Sequence, residues 1–236
     1  MSFTLAWRAA PGRGVEYLDD PAADPKLAAR SLRDVALCNR LFGGIRAVTE
    51  ELRQLFNAAR ATGRPLTLLD VGTGAGDVPA AARRAAAKAG VALHTVGMER
   101  SVALAAASRA LSGTALAGDA FAIPFADHSV DIVVCAQVLH HFAAPDGARL
   151  LAELHRVARQ RVIVSELRRS RVAAAGVWLA SWPLGFHPVS RHDGVLSVMR
   201  GFRADELARA VLSATGVRPN VRNRRGFRVT ASWSPA

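Results

Sequence analysis

LLDVGTGAGD, residues 68–77, is an apolar run that ends in an acid and then places three glycines at alternate positions. A segment rich in alanine and arginine, with the composition of a helix, follows at once. This pattern predicts a buried strand that turns tightly into a helix, whose first N–H groups face a ligand. Glycines suit such a turn because the backbone can approach the ligand without Cβ atoms in between.

The spacing of these glycines narrows the choice of ligand. A dinucleotide-binding fingerprint, G-x-G-x-x-G, would need its third glycine at position 77, where this chain has Asp77. The third glycine comes one residue earlier, at Gly76, which disfavours an NAD-dependent oxidoreductase. The pattern acid-G-x-G-x-G resembles motif I of the class I S-adenosylmethionine (SAM) methyltransferases. The alternative is a plain strand-to-helix turn without a ligand.

Three later segments extend this resemblance to roughly residues 66–170. VGME, residues 96–99, places Glu99 at the tip of the second predicted strand, where a carboxylate can accept hydrogen bonds from both ribose hydroxyls. GDAFAIPF, residues 118–125, resembles the G-D-A-x-x-L-P-F segment of the menaquinone/ubiquinone-biosynthesis-like methyltransferases (methyltransferase type 11). QVLHHF, residues 137–142, resembles the V-L-H-H segment of the same small-molecule methyltransferases.

The resemblance implies SAM as the cofactor and a set of positions that bind it. Asp70 would hold the glycine turn and reach the SAM ammonium group, and Glu99 would bind the ribose. Asp119 and the N–H of Ala120 would bind the adenine, and the segment that begins at Gln137 would form the far wall. The complete predicted set is Asp70, Gly72, Thr73, Gly74, Gly76, Glu99, Asp119, Ala120 and Gln137.

Strand and helix patterns alternate from residue 66 onward. Apolar strands over 66–71, 92–98, 114–117, 130–136 and 161–167 are separated mainly by helical segments, which predicts a parallel sheet covered on both faces. Two strands over 217–224 and 228–233 then form a hairpin. This order is that of the class I methyltransferase fold, a doubly wound, Rossmann-like α/β sheet of seven strands whose last strand is antiparallel.

Two helical regions lie outside this alternation. Residues 1–25 are an irregular lead-in to helices over 25–38 and 39–61, so that residues 1–62 are predicted to form an N-terminal helical cap. Residues 63–236 are predicted to form the SAM-binding domain, with a helical lid inserted at about 171–200. Trp178, Trp182 and Phe186 would either line an apolar pocket under this lid or bury the lid against the domain.

Composition restricts the partners and the compartment. The net charge is +12, but only two basic residues are lysines and the arginines are spread along an alanine-rich chain, which suggests coding bias and disfavours a nucleic-acid substrate. No apolar run is long enough to span a bilayer and residues 1–13 lack a signal-peptide core, so a cytoplasmic protein is expected. Cys38 and Cys135 predict buried free thiols, and no metal is predicted.

Methyl transfer to an oxygen requires removal of its proton, and histidine suits this step because it titrates near neutral pH. His140 and His141 follow the fourth strand at the ligand-binding edge of the sheet, and His192 lies in the lid region. These three are the candidate bases, although each also fits a hydrogen-bonded wall or loop histidine. The weaker candidates are Glu166, His187 and Asp193.

The expected reaction is methyl transfer from SAM to a small, largely apolar acceptor, at a phenolic or enolic oxygen. C-methylation of a quinone-type ring is the first alternative. An RNA methyltransferase that uses the arginines near the C-terminus is a second, and a SAM-binding protein without turnover is a third.

Overall fold

The computed structural model of the protein describes residues 16–17 and 24–235. Its strands are β1 (Leu66–Val71), β2 (Leu93–Glu99), β3 (Thr114–Ala117), β4 (Val130–Ala136), β5 (Ala158–Leu167), β6 (Asn220–Arg224) and β7 (Arg228–Trp233). Its helices are α1 (Pro25–Leu41), α2 (Gly44–Thr62), α3 (Asp77–Lys88), α4 (Val102–Ser112), α5 (Ala144–Val157), α6 (Arg171–Ser181), α7 (Pro188–Arg200) and α8 (Ala204–Thr215).

The seven strands form one sheet in the order β3-β2-β1-β4-β5-β7-β6. The first five strands are parallel, and β7 runs antiparallel to both β5 and β6. This confirms the predicted doubly wound sheet with an antiparallel last strand. Strand β6 begins at Asn220, later than the predicted residue 217, because Pro219 just before it has no N–H to pair.

Both faces of the sheet are covered, as the continuous apolar strands predict. Alternate side chains of β1 point to opposite faces. Leu69 and Val71 pack into the cluster that includes Leu150 of α5, whereas Leu68 packs into the cluster that includes Phe56 of α2. The sheet is therefore buried between two helical layers, and the carboxyl ends of its parallel strands remain as the edge where loops can build a site.

The N-terminal helices continue the layer that covers one face of the sheet. Helix α1 extends to Leu41, three residues beyond the predicted end, and Gly43 (φ +79°) makes the turn into α2. Because Phe56 of α2 shares a core cluster with β1, this helix is part of the main core. The division at residue 62 remains a prediction, and the predicted lead-in over residues 1–25 lies largely outside the described residues.

The predicted lid region consists of two helices, α6 and α7. Ser170 caps the first helix by accepting a hydrogen bond from the N–H of Ala173, and Pro188 occupies the first turn of the second. Leu167, at the end of β5, and Val198 join the two helices in a small core of their own. Within the described part of the chain, no helix has the length and apolarity needed to cross a membrane.

Candidate active site

The glycine turn connects β1 to α3 in the left-handed backbone region. Gly72, Gly74 and Gly76 have φ angles of +73°, +55° and +80°, which explains the choice of glycine at alternate positions. Thr73 fixes the turn to the preceding strand, because its hydroxyl donates a 2.7 Å hydrogen bond to Oδ2 of Asp70. The predicted strand–turn–helix element is therefore present, with its acid pointing into the turn.

Gly72 and Gly74 differ in the space around the position that a Cβ atom would occupy. A Cβ atom at Gly72 would lie 2.4 Å from Cγ2 of Val138, so this glycine is needed for packing against the loop after β4. A Cβ atom at Gly74 would meet only Leu32 of α1, at 3.6 Å. Gly74 therefore borders open space, which leaves room for a ligand against its backbone.

That space is a cavity of about 840 Å³ at the carboxyl ends of the parallel strands. Helix α1 and the two lid helices form its other walls. Its lining is acidic although the chain is strongly basic, and this charge favours a cationic ligand. Among the described residues, the lining carboxyl groups are those of Glu16, Asp34, Asp70, Asp77, Glu99 and Asp193, and the lining guanidinium groups are those of Arg100 and Arg228.

Asp70 lies at the bottom of this cavity with one oxygen unsatisfied. The residue is 1% exposed, and its Oδ1 atom has no hydrogen-bond partner among the described residues. Burial raises the pKa of this carboxyl to about 8, against the opposing effect of the hydrogen bond from Thr73. The carboxyl is therefore mostly protonated at pH 7 in the ligand-free protein, and a cationic group beside it would favour loss of that proton.

This gives a first prediction, which uses Asp70→Asn as the uncharged variant. If the ammonium group of S-adenosylhomocysteine (SAH) binds beside Asp70, binding at pH 7 should release up to about one proton from the wild type. Calorimetric titrations in buffers of different ionisation enthalpy measure this release. The release should disappear in Asp70→Asn; equal release by both proteins would assign the proton to another group.

Glu99 stands where a ribose-binding acid is expected. Its Oε1 atom accepts a 2.7 Å hydrogen bond from the N–H of Gly74, and its Oε2 atom accepts one from the N–H of Arg100. Burial raises the pKa of Glu99, and the two backbone hydrogen bonds oppose that rise. The structure thus brings Glu99 and the glycine turn together on one wall of the cavity.

The predicted adenine-binding pair is placed differently. Asp119 is exposed, and its Oδ1 atom accepts a 2.9 Å hydrogen bond from the N–H of Phe121, two residues on. Neither Asp119 nor Ala120 lines the cavity as the described residues define it. Their role toward the adenine remains a prediction.

A buried polar chain links the glycine turn to the far side of the sheet. Asn39 of α1 donates a 3.2 Å hydrogen bond to Asp77 and accepts one from the amide of Gln137. The amide oxygen of Gln137 accepts a 2.6 Å hydrogen bond from Arg228 of β7. Sequence reasoning identified Gln137 but missed Asn39 and Arg228, since neither belongs to a recognisable motif.

His140 is held by a carboxylate in the loop after β4. The side chain is 2% exposed, and its Nδ1 atom lies 2.9 Å from Oε2 of Glu166, which is completely buried at the end of β5. Burial alone would raise the pKa of Glu166, but the facing imidazole outweighs it and holds that pKa below its usual value. Nδ1 of His140 would donate to an ionised Glu166, so that Nε2 is the atom that accepts a proton whenever the imidazole is neutral.

The other candidate bases lie in different surroundings. His141 also lines the cavity, and its ring centroid is 4.3 Å from that of His140. His192 does not line it: its side chain is 65% exposed and its Nδ1 atom pairs with Asp193 at 3.1 Å. The weaker candidate His187 caps α7 through its ring Nδ1, which accepts from the N–H of Val189. Of the candidate histidines, only His140 combines burial with a place on the cavity wall, since His141 is partly exposed. The weaker candidate Asp193 is also buried and lines the cavity, where it accepts a 2.8 Å hydrogen bond from the N–H of Tyr17.

Glu16 approaches this histidine pair from the N-terminal segment. Its carboxylate oxygens lie 3.9 Å from Nε2 of His140 and 3.8 Å from Nδ1 of His141, a cluster of three groups that could hold a metal ion. Arg200 of the lid already supplies a positive charge there, since its guanidinium lies 3.1 Å from Oε1 of Glu16. The expectation that the protein uses no metal stays a prediction.

The aromatic residues of the lid do not all face the cavity. Phe186 lines it, as predicted. Trp178 and Trp182 are 47% and 56% exposed and pack against each other on the outer surface, so both of their predicted roles are wrong. The inward face of α6 carries Ala173 and Val177 instead.

Both cysteines are free thiols, but the prediction that both are buried is wrong for Cys38, which is only partly buried. Cys135 is buried inside β4, whereas Cys38 of α1 lines the cavity. Burial raises the pKa of the Cys38 thiol to about 11.

The sequence of the chain is similar to those of known methyltransferases. Residues 69–164, from β1 to β5, match the family described as "Methyltransferase domain". This part of the chain is similar to a methyltransferase domain. An uncharacterized methyltransferase of Mycolicibacterium gilvum (strain PYR-GCK) is 32% identical over 174 residues, which are 71% of this chain and 60% of the relative. The chain thus spans less than two thirds of that relative's length.

Solved structures share the fold of the methyltransferase domain. A SAM-dependent methyltransferase from Aquifex aeolicus superposes with a TM-score of 0.52, at 18% identity, over 72% of this chain and 82% of that one. The structure of PigF with SAH superposes with a TM-score of 0.64 at 17% identity, over 98% of this chain and 65% of that one. The plantazolicin methyltransferase BamL, in complex with a triazolic desmethylPZN analog and SAH, superposes with a TM-score of 0.59 at 16% identity. The superposition covers 89% of this chain and 75% of that one. These likenesses confirm the predicted fold and agree with the predicted recognition as a class I methyltransferase domain that uses SAM.

The residues around the glycine turn fit that cofactor. SAM carries a sulfonium and an ammonium group, which suit the acidic lining and the unsatisfied oxygen of Asp70. The open space at Gly74 admits close contact with the backbone, and Glu99 offers a carboxylate at the tip of β2. Asp70, Gly74 and Glu99 would therefore hold the cofactor.

Proposed function

We propose that the protein transfers the methyl group of SAM to a hydroxyl oxygen of a small, largely apolar acceptor. The observation that carries this proposal is a single cavity that joins the glycine turn to the His140–Glu166 pair and to the apolar inner face of the lid. Cofactor, base and acceptor would then share one enclosed space, which favours alignment of the reacting atoms.

For methyl transfer from SAM to a hydroxyl, the protein has to align the two reacting groups and remove one proton. Bound SAM would supply a methyl group on a positively charged sulfur, ready for direct displacement. An oxygen lone pair of the acceptor would form the new C–O bond while the C–S bond breaks and its electron pair stays on sulfur, giving SAH. Nε2 of His140 would take the hydroxyl proton, and the Glu166 carboxylate would stabilise the resulting imidazolium.

The acceptor's apolar character is inferred from the walls away from the glycine turn. The lid contributes Val172, Ala173, Val177 and Phe186, and α1 contributes Leu32 and Val35. A phenol or enol fits this lining, because it presents an apolar body and one weakly acidic hydroxyl. The buried imidazole–carboxylate pair fits methylation at a phenolic oxygen, and because methylation at a ring carbon also needs removal of a proton, the position of the label must separate the two reactions.

A small acceptor also agrees with the positions of the arginines near the C-terminus. Arg224 is bound to Glu50 and Glu51 of α2, at 2.8 Å and 2.5 Å, and Arg228 is buried. Of the four arginines within residues 222–228, Arg224 and Arg228 are thus engaged inside the protein, and Arg222 and Arg225 are exposed. Only two exposed arginines of that cluster remain for an RNA substrate, which weakens that alternative.

The deciding experiment is methyl transfer from labelled SAM into a cell extract and into a panel of phenols and enols. We expect label in an organic-soluble small molecule, on an oxygen, as identified by mass spectrometry and NMR. Label in RNA or protein would contradict the proposal, and label on a ring carbon would contradict the assignment to oxygen. SAH bound without any turnover on either source would favour a binding protein.

A further inference from the structure

Arg228 is a buried cation whose charge no described carboxylate neutralises by direct contact. The residue is 3% exposed and lines the cavity. Its guanidinium donates to the amide oxygen of Gln137 at 2.6 Å and to the carbonyl oxygen of Phe42 at 3.3 Å, and both acceptors are uncharged. Within residues 16–17 and 24–235, no carboxylate lies within ion-pair distance of it.

Such an arrangement is costly unless a ligand completes it. Buried charges in proteins are normally paired, because removal from water costs several kcal/mol per ion in real proteins. Burial lowers the pKa of Arg228 to about 10, so the guanidinium still carries its charge at neutral pH. Glu166 and Asp77 act on Arg228 only from beyond ion-pair distance, and both of its hydrogen-bond acceptors are neutral. A charged, cavity-lining guanidinium of this kind fits an anionic group on the bound molecule.

The position of Arg228 indicates which anion. The chain Arg228–Gln137–Asn39–Asp77 connects the guanidinium to the first residue of α3, directly after the glycine turn. Gln137 adopts φ +57°, a left-handed conformation that is strained for a residue with a side chain, and its two side-chain hydrogen bonds hold it there. This strained residue therefore fixes the guanidinium relative to the turn.

The other arginine of the cavity occupies the opposite end. Arg100 follows Glu99 at the expected ribose site and is exposed to solvent. SAM has a carboxylate only on its methionine part, away from the ribose. Of the two cations in the lining, Arg228 is the buried one on the side away from Glu99.

We propose that Arg228 binds the carboxylate of the methionine part of SAM. The inference rests on the proposed function, because it assumes that SAM occupies the cavity. A carboxylate of the acceptor has the same chemistry, so the experiment must separate the two sources.

The test compares SAM with decarboxylated SAM, which keeps the sulfonium and the ammonium group but lacks the carboxylate. Dissociation constants are measured by calorimetry for the wild type, Arg228→Met and Arg228→Lys, with Arg100→Met as the matched control. We expect the wild type to prefer SAM by roughly 30-fold or more, the loss typical of a buried charge deprived of its partner. Arg228→Met should lose this preference, Arg228→Lys should keep part of it, and Arg100→Met should keep all of it.

The possible results separate the role proposed for Arg228 from the proposed function. A preference that survives in Arg228→Met, or an equal loss for both compounds, would overturn the role of Arg228. An unchanged SAM affinity together with a raised acceptor KM would assign the guanidinium to an acceptor carboxylate instead, and overturn it too. If Arg228→Met does not fold, the absence of any preference in the wild type overturns the inference by itself. A wild type that binds neither compound would overturn the proposed function as well.

Discussion

Replacing His140 with glutamine is expected to lower kcat by ~10²–10⁴-fold, the usual contribution of a general base. Glutamine keeps a polar side chain beside Glu166 but cannot take up a proton. The affinity for SAH should stay within a factor of about two, since the interaction removed is made only with the reacting hydroxyl. Steady-state kinetics with the identified acceptor, together with calorimetric SAH titration, measure the two effects separately.

Two further variants give this prediction its controls. Glu166→Gln removes the charge that faces Nδ1 of His140, so that kcat should fall by less than in His140→Gln and its pH profile should move to lower pH. His192→Gln changes an exposed histidine away from the cavity wall and should leave kcat unchanged. A fall in His192→Gln comparable to that in His140→Gln would contradict the assignment of the base.

Replacing Gly74 with valine is expected to weaken SAM binding by roughly 100-fold or more while the protein stays folded. The new side chain has space, because its Cβ atom would meet only Leu32 at 3.6 Å, but that space is where the cofactor is expected to lie. A bulky group there must displace the ligand or move the turn. Calorimetry measures the affinity, and thermal unfolding reports whether the fold persists.

Backbone strain alone must be separated from this loss of space. A residue with a side chain at φ +55° costs about 1–2 kcal/mol, which by itself can lower Tm by several degrees. Gly63→Val is the matched control, because Gly63 has φ +65°, no atom within 4 Å of its Cβ position, and lies outside the cavity lining. Both variants should lose similar stability. If both also lost SAM affinity to the same extent, Gly74 would have no direct role.

Local sequence patterns predicted the part of the site that depends on neighbouring residues. The turn after β1 follows from glycines at fixed spacing, and Glu99 follows from its place at a strand end, because parallel strands bring their carboxyl ends to one edge. The structure has the turn after β1 and Glu99 at the end of β2, while their roles toward SAM stay a prediction. The antiparallel position of β7 followed from the family resemblance and from the hairpin pattern, rather than from any one residue.

The rest of the site depends on long-range contacts that no local pattern contains. Arg228 and Gln137 are 91 residues apart in the chain, and Asn39 and Gln137 are 98 apart. The predicted positions of the two lid tryptophans were wrong for a related reason. A helix as apolar as α6 does not indicate which side faces the core, and small residues, Ala173 and Gly176, face inward while Trp178 and Trp182 remain outside. The net positive charge of the whole chain likewise does not predict that the cavity lining is acidic.

The raised pKa of the Cys38 thiol affects how long the protein can remain active. A methyl sulfonium is an alkylating agent, and a thiolate on the cavity wall would compete with the acceptor for its methyl group. With a pKa of about 11, only about one Cys38 side chain in ten thousand is ionised at pH 7. If SAM occupies the cavity as proposed, nearly all of the Cys38 side chains would be in the weakly nucleophilic thiol form, which would limit their methylation over many turnovers.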